Sequence, residues 1–457
     1  MQTPTTVVIL AAGQGTRMKS RMAKVLHRAG GKPLVQHAID AALQIAPPER
    51  IFLVIGHQAD HVRAATRTSG IQYIEQTEQL GTGHAVKCGL DRLSPLPGRL
   101  VIFYGDCPLI RPSTLQQLND LQSTTSGGGA LVTTDLPDPT GYGRILRDPS
   151  GDVSAIVEHK AATPDQLAVR EINAGVYCFD ASAFWQHINE IRPDNPAREY
   201  YLTDMIAILL GHGHRIAALK IADETELLGI NNRVELSLAD RILRDRKVHR
   251  LLLDGVTIEK PETVTIDADV TIGQDSIIGP FAQILGSSKL GENCRIGASS
   301  ILENATLGDD VHIHPFSSIS DSTLDNNSHI GPYARLRMGA HVEEHAHVGN
   351  FVELKKTRLG KGSKSMHLAY LGDSTIGDKV NIGAGTITCN YDGKHKHPTV
   401  IQDGAFVGSN STLIAPIQIG ESAYIAAGSV ITHNVPAGSL AFGRAHQVVK
   451  EHWKRKE

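Results

Sequence analysis

From about residue 255 onward an aliphatic residue, often followed by glycine, returns every six positions. Ile272-Gly273, Ile278-Gly279, Leu290-Gly291 and Ile296-Gly297 open the series. Ile330-Gly331, Leu336, Val342, Val348-Gly349, Leu354, Leu371-Gly372, Ile376-Gly377, Ile382-Gly383, Val407-Gly408, Leu413, Ile419-Gly420 and Ile431 carry it almost to the end. Such a period is the signature of a parallel β-helix: each short strand turns one aliphatic residue inward, and the next corner needs a small residue. Three strands make a triangular coil of about 18 residues, so roughly 200 residues stack into about ten coils. This architecture also explains why aromatics are only 5% of a chain with 44 glycines: a coil interior of stacked Ile, Val and Leu has no room for many rings. Two stretches interrupt the period, 388–399 (TCNYDGKHKHPT) and 365–370 (SMHLAY). Both are expected to be loops that leave the solenoid, where sites are usually carried.

The first 230 residues or so follow a different grammar. TTVVILAAG, IFLVIG and LVIFYGD are apolar strands, and VQHAIDAALQIA between the first two is amphipathic. GGGALVTTDL and NAGVYCFD add further strands, and REYYLTDMIAILLGHG reads as one helix closed by glycine. Alternating strands and helices predict a mostly parallel, Rossmann-like α/β sheet. Between the halves, Val234, Leu238, Ile242 and Val248 recur at helical spacing among charges until Gly255. We expect a single exposed linker helix there. The expected division is 1–233, 234–254 and 255–457.

Composition narrows the function classes. A net charge of −3 over 457 residues argues against a nucleic-acid protein held by bulk charge. Five cysteines without a C-x-x-C pair fit reduced thiols better than a disulfide framework or zinc site. No apolar run approaches a membrane span, and VVILAA is too short for a signal peptide. A cytoplasmic enzyme is expected, with no nucleic-acid or membrane partner. His345-x-His347 and His395-x-His397 have no third ligand at a plausible spacing and read as polar surface. Cys107 reads as a small buried residue.

Leu10-Ala-Ala-Gly-Gln-Gly-Thr-Arg-Met18 follows the first strand directly. Its small residues let backbone N–H groups approach phosphates, and Arg17 adds fixed charge. The motif is neither G-x-x-x-x-G-K-[ST] nor G-x-G-x-x-G, so it is no Walker loop and no dinucleotide fingerprint. Tyr104-Gly105-Asp106 ends another apolar strand. A carboxylate at the C-terminal end of a strand in an open α/β sheet lies where ligands bind. One Asp there suits Mg²⁺ held partly by substrate phosphates.

These motifs, with EQLGTGHA (78–85), GYGRI (141–145), VEHK (157–160), EINAG (171–175), GINNR (229–233), RLR (335–337), GNFVELKK (349–356), HLAYLGD (367–373) and NIGAGTITCNYDG (381–393), resemble in order the bacterial bifunctional N-acetylglucosamine-1-phosphate uridyltransferase/glucosamine-1-phosphate N-acetyltransferases. The resemblance spans nearly the whole chain. It implies a left-handed β-helix and a homotrimer that works on small molecules: glucosamine 1-phosphate, N-acetylglucosamine 1-phosphate, UTP and acetyl-CoA. It implies that Leu10, Ala11, Ala12, Gly13, Gln76, Gly81 and Thr82 hold the uridine nucleotide beside Tyr104 and Gly105. Arg17 and Lys24 would act on its phosphates, and Asp106 and Asn231 would bind Mg²⁺. Gly143, Glu158 and Asn173 would hold the N-acetylglucosamine moiety, with Asn231 also near substrate. In the second half it implies His367 as general base, with Arg337, Lys355, Tyr370 and Asn381 on glucosamine 1-phosphate. Ala384, Asn390, Tyr391, Ser409, Ala427 and Arg444 would line the acetyl-CoA site. Ala23 before Lys24, Met338 after Arg337 and Met366 before His367 depart from the family pattern. A sugar-1-phosphate nucleotidyltransferase whose β-helix serves only assembly is the competing expectation.

Overall fold

The computed structural model describes residues 3–66, 70–124, 127–195 and 197–455. The chain forms two compact units, Met1–Leu243 and Arg244–Glu457.

The first unit is built on a sheet whose strands run in the order Ile216–Lys220, Gly129–Asp135, Glu171–Asp180, Arg99–Tyr104, Thr5–Leu10, Ile51–Ile55 and Gln72–Glu75. Only Glu171–Asp180 runs antiparallel to its neighbours in this path. Val7, Val8 and Ile9 are fully buried because the strand is covered on both faces, which is why it reads as a continuous apolar run. Val7 and Ile9 join one core cluster and Val8 and Leu10 the other, as the alternation of a strand requires. The adjacent parallel strands Thr5–Leu10 and Arg99–Tyr104 end level, Leu10 opposite Tyr104. Their outgoing loops therefore meet at one edge of the sheet.

One expected helix is shorter than its sequence suggests. REYYLTDMIAILLGHG is helical only over Asp204–Gly211. Tyr200 is pinned to the loop before helix Thr82–Lys87: its N–H donates to Leu80 O at 2.8 Å and its carbonyl accepts from Gly83 N at 2.7 Å. Those two bonds hold the segment away from helical geometry and carry Glu199 into a cavity described below.

The second unit is a parallel β-helix. Among the described residues its three sheets have eleven, ten and nine strands, each strand paired with the equivalent strand of the next coil. In one sheet Ile278, Ile296, Ile313, Ile330 and Val348 stack in register, all nearly or fully buried. The next residue in that column is Ser365 and the one after is Ile382. This corrects the expectation that 365–370 is a loop. Ser365 fills an inward position with no exposure, so the coil continues while its aliphatic marker is missing. Of the two expected loops, the one that leaves the ladder is 390–398, between strands Ile387–Cys389 and Thr399–Ile401.

The charge-rich helix spans Arg233–Leu253, and Asn232 caps it by accepting from Val234 N and Glu235 N. It is not simply exposed. Ala239 is fully buried with Met18, Leu34 and Ile230, within the first unit. Val248 and Leu251 belong to the core of the second. The remaining faces carry most of the helix's charges, which is what the sequence makes visible, but Val234, Leu238, Leu252 and Leu253 are exposed there as well. Among the described residues no helix is long and apolar enough to cross a membrane.

Candidate active sites

In the first unit, a cavity of about 310 Å³ opens at the level strand ends. Leu10, Ala11, Ala12, Gly13, Lys24, Gln76, Gly81, Thr82, Tyr104 and Asp106 line it, together with Gln79 and Glu199. The glycine-rich loop is tied to Lys24 sterically. Gly15 has φ +65°, and a Cβ there would lie 2.5 Å from Lys24 Cβ. Only glycine lets the lysine stem pass. Gly105 N donates to Leu10 O at 2.9 Å, which clips the two strand ends together.

Asp106 and Asn231 lie far apart in sequence but meet here. Ile230 N donates to Asp106 O at 3.0 Å, and Lys24 Nζ donates both to Asp106 Oδ2 and to Asn231 Oδ1. Arg17 Nη2 also donates to Asn231 Oδ1, at 2.8 Å. The Asn231 amide nitrogen is turned away onto Gly229 O at 3.2 Å, so its oxygen faces the cations. Both oxygens thus address one point, and an ammonium group stands at it. Two hard oxygen donors converging on a positive charge fit Mg²⁺. Sequence reasoning missed Glu235, in the first turn of the following helix. Its Oε2 accepts from Asn231 N at 2.5 Å and its Oε1 from Asn232 Nδ2 at 2.7 Å. The signal was present as a carboxylate four residues after Asn231.

Gly143, Glu158 and Asn173 form a neighbouring group. Asn173 N donates to Gly143 O at 2.9 Å, and the space beside Gly143 is bounded by Glu158 Oε1. Asn173 Nδ2 donates to Tyr177 Oη at 2.7 Å. Burial, reinforced by Tyr177 and Asp106, pushes the Tyr104 hydroxyl well above its ordinary pKa, so it remains a neutral donor. Burial also pushes the Cys107 thiol up, with Asp106 adding to the effect. It is therefore an inert small residue.

In the second unit the register assembles a second site. Arg337 pairs with Lys355, and Glu353 with Tyr370. Lys355 is 4% exposed, and its Nζ lies 2.7 Å from Asp373 Oδ2. Asn390 Nδ2 donates to the same oxygen, while Arg337 Nε donates to Glu353 Oε1 at 2.7 Å. The hydrogen bond with Asp373 raises the Lys355 pKa, so this ammonium stays charged. Tyr370 Oη and Asn390 Nδ2 both border Gly372. Met338, the departure beside Arg337, offers its Sδ to Arg337 Nη1 at 3.3 Å.

His367 is exposed and pairs with Asn350 one coil earlier. Its Nδ1 lies 2.7 Å from Asn350 Oδ1. With the proton on Nδ1 donated to that oxygen, Nε2 is left as the basic nitrogen. Continuing the same register, Ser365 pairs with Ile382, Ile382 with Val407 and Val407 with Ile425. The residues two places on are His367, Ala384, Ser409 and Ala427, so they stack as a column over successive coils. Below the histidine the column is all small side chains. Arg444 Nη1 closes it by donating to Ala427 O at 2.7 Å. Asn381 lies half-buried in the same sheet between Lys364 and Phe406. Tyr391 is exposed on the 390–398 loop and donates to Gly393 O at 2.6 Å. Asn350 and Asp373 were missed by sequence reasoning because each acts through a partner one coil away.

Residues 7–161 match the family model of the MobA-like NTP transferase domain. Residues 269–304 and 398–433 match that of the bacterial transferase hexapeptide (six repeats). The chain is 60% identical over 456 residues to the bifunctional protein GlmU of Solibacter usitatus (strain Ellin6076), covering 100% of this chain and 98% of the relative. It is 48% identical over 454 residues to the bifunctional protein GlmU of Koribacter versatilis (strain Ellin345), covering 99% and 97%. With that of Shouchella clausii (strain KSM-K16) it shares 46% identity over 450 residues, covering 98% of each. With both units and nearly every residue matched, the chain belongs to the family of bifunctional GlmU proteins.

Proposed function

We propose that the chain makes UDP-N-acetylglucosamine in two steps at two separate sites. The β-helical unit transfers acetyl from acetyl-CoA to glucosamine 1-phosphate. The α/β unit then transfers uridylyl from UTP to the N-acetylglucosamine 1-phosphate so formed, releasing pyrophosphate. The observation that carries the pairing is the column below His367: a path of small side chains over three coils ends at an imidazole with a free Nε2.

For acetyl transfer, Arg337, Lys355 and Tyr370 hold the phosphate and sugar, with Asn381 beside them. The carrier lies along Ala384, Ser409 and Ala427, with Asn390, Tyr391 and Arg444 around it. His367 Nε2 takes a proton from the sugar amine as its nitrogen attacks the thioester carbonyl, and the thiolate of CoA leaves. For uridylyl transfer, the sugar phosphate oxygen attacks the α-phosphorus and pyrophosphate departs. No protein nucleophile is needed, only alignment and charge neutralisation. Arg17 and Lys24 supply fixed positive charge, Leu10–Gly13 with Gln76, Gly81 and Thr82 hold the nucleotide against Tyr104 and Gly105, and Gly143, Glu158 and Asn173 hold the sugar. Asp106 and Asn231 would hold Mg²⁺, which when bound neutralises phosphate charge.

The protein assembles as a homotrimer on this reading. Phe316, Tyr333 and Phe351 stack at 5.1 and 5.2 Å along one corner of the β-helix while remaining about half exposed. A continuous aromatic ridge of this kind is a contact surface, and a threefold ring of identical rods covers it. A monomer by light scattering at micromolar concentration would refute the assembly. We place the protein in the cytoplasm, with UTP and acetyl-CoA. Two assays on one preparation test the function: CoA release with glucosamine 1-phosphate, and pyrophosphate release from UTP with N-acetylglucosamine 1-phosphate and Mg²⁺. His367→Ala should abolish only the first and Asp106→Ala only the second. Absence of CoA release in the wild type would reduce the β-helix to an assembly platform.

A further inference from the structure

Three histidines converge on the outer surface of the β-helix, in coils preceding the acetyl-transfer site. His312 and His329 pair across adjacent coils. His314 lies two residues beyond His312, so it projects to the same side. The rings touch: centroids are 4.1 Å apart for His312 and His314 and 5.6 Å apart for His312 and His329. One nitrogen from each ring lies within 4.8 Å of the other two. All three side chains are half-buried. Among the described residues, no group is hydrogen-bonded to their ring nitrogens. A second cluster, His187, Glu190 and His212, differs on this point. There Glu190 bonds both imidazoles, at 2.6 and 3.0 Å, and the set is satisfied internally.

We propose that His312, His314 and His329 bind one divalent transition-metal ion of the zinc class. Three imidazoles suit Zn²⁺, Co²⁺ or Ni²⁺ and not Mg²⁺, which takes oxygen ligands. In a tetrahedral zinc site with Zn–N of about 2.0–2.1 Å, ligand nitrogens sit about 3.4 Å apart. Side-chain rotation alone closes the remaining gap, because the backbone ladder already sets the spacing. A fourth position faces solvent and takes water. The ion would tie two neighbouring coils together. Arg295, one coil before His312 in the same ladder, opposes a cation electrostatically and limits the affinity.

The test uses the full chain, stripped with chelator and then saturated with Mg²⁺ so that the Asp106 oxygens are occupied. Titration with Co²⁺ should give the intense visible band of a four-coordinate, nitrogen-ligated site, saturating at one ion per chain, and Zn²⁺ should displace it. His314→Ala and His329→Gln should each abolish the band, and Arg295→Gln should tighten binding. Failure to form the band, or its persistence in the histidine variants, overturns the proposal. X-ray absorption on the zinc-loaded wild-type chain decides the question without any variant: three imidazoles around the metal support the site, and fewer overturn it.

Discussion

Replacing Asp373 by asparagine removes the charge that neutralises a buried lysine while keeping the side chain's shape. Lys355 is 4% exposed, and its Nζ lies 2.7 Å from the Asp373 carboxylate. Leaving one member of a buried pair uncompensated costs about 3–5 kcal/mol. A second route bounds the penalty. The ammonium can give up its proton, at about 1.4 kcal/mol for each unit between a solution pKa of about 10.4 and neutral pH, or about 5 kcal/mol in all. The two figures agree. In a unit of this size each kcal/mol moves the melting transition by about 2–4 °C, so Asp373→Asn should lower that of the β-helical unit by roughly 10 °C. Differential scanning calorimetry reads this directly. Adding Lys355→Met should restore most of the loss, since no buried charge remains, while CoA release stays abolished. A drop below about 2 °C, or no recovery in the double variant, would refute the reasoning. The pH dependence has a definite sign. Burial works against the Asp373 charge, but the bonds from Lys355 and Asn390 outweigh it and hold the carboxyl below its ordinary range. Its stabilisation is complete above the unfolded carboxylate pKa and is lost as pH falls through the lower folded value. The gap between wild type and variant should therefore be full near neutrality and close on acidification below about pH 4.

Four further outcomes are expected. Asn350→Ala frees the His367 imidazole from a bond worth about 1 kcal/mol, so kcat for acetyl transfer should fall about fivefold with KM nearly unchanged; an unaltered kcat would separate Asn350 from the base. Gly349→Ala places a Cβ 1.9 Å from the Met366 carbonyl oxygen, so the strand carrying His367 must shift. CoA release should collapse while pyrophosphate release is retained, and a variant active in both assays contradicts the packing. Glu235→Ala loosens Asn231 and should raise the Mg²⁺ concentration for half-maximal pyrophosphate release by about tenfold. EDTA should stop pyrophosphate release without touching CoA release, and equal inhibition of both would tie the metal to the wrong half.

Much of the fold could be read from the chain because each inward position of the solenoid declares itself by one side chain. Ile278, Ile296 and Ile313 need no knowledge of their neighbours to be recognised. Ser365 shows where this fails: its burial depends on the coils above and below, which a linear pattern does not display. The same limit explains the site residues. Asp106, Lys24 and His367 sit in distinctive local motifs. Asn350 and Asp373 matter through side chains 17 and 18 residues away, and only the coil length, known once the register is known, brings those together. The shortened helix at Asp204 has a comparable cause, since Tyr200 is held by a loop more than a hundred residues earlier.

A solenoid gives its residues unequal depths of protection, because each coil is supported only by the one before and the one after. Opening therefore starts at a free end and travels inward. Among the described residues Leu440 and Ala441 form the terminal strand of their sheet, paired on one side only, and Arg444 follows soon after. His367 and Lys355 lie with further coils on both sides. The Arg444 end of the column is thus the first part to fray, and the His367 end among the last. A molecule lying along Ala384, Ser409 and Ala427 spans that gradient and acts as a clasp on the loose end. Amide exchange should slow most near Leu440 when it binds and least beside the histidine, so that the carrier finishes the rod it docks on.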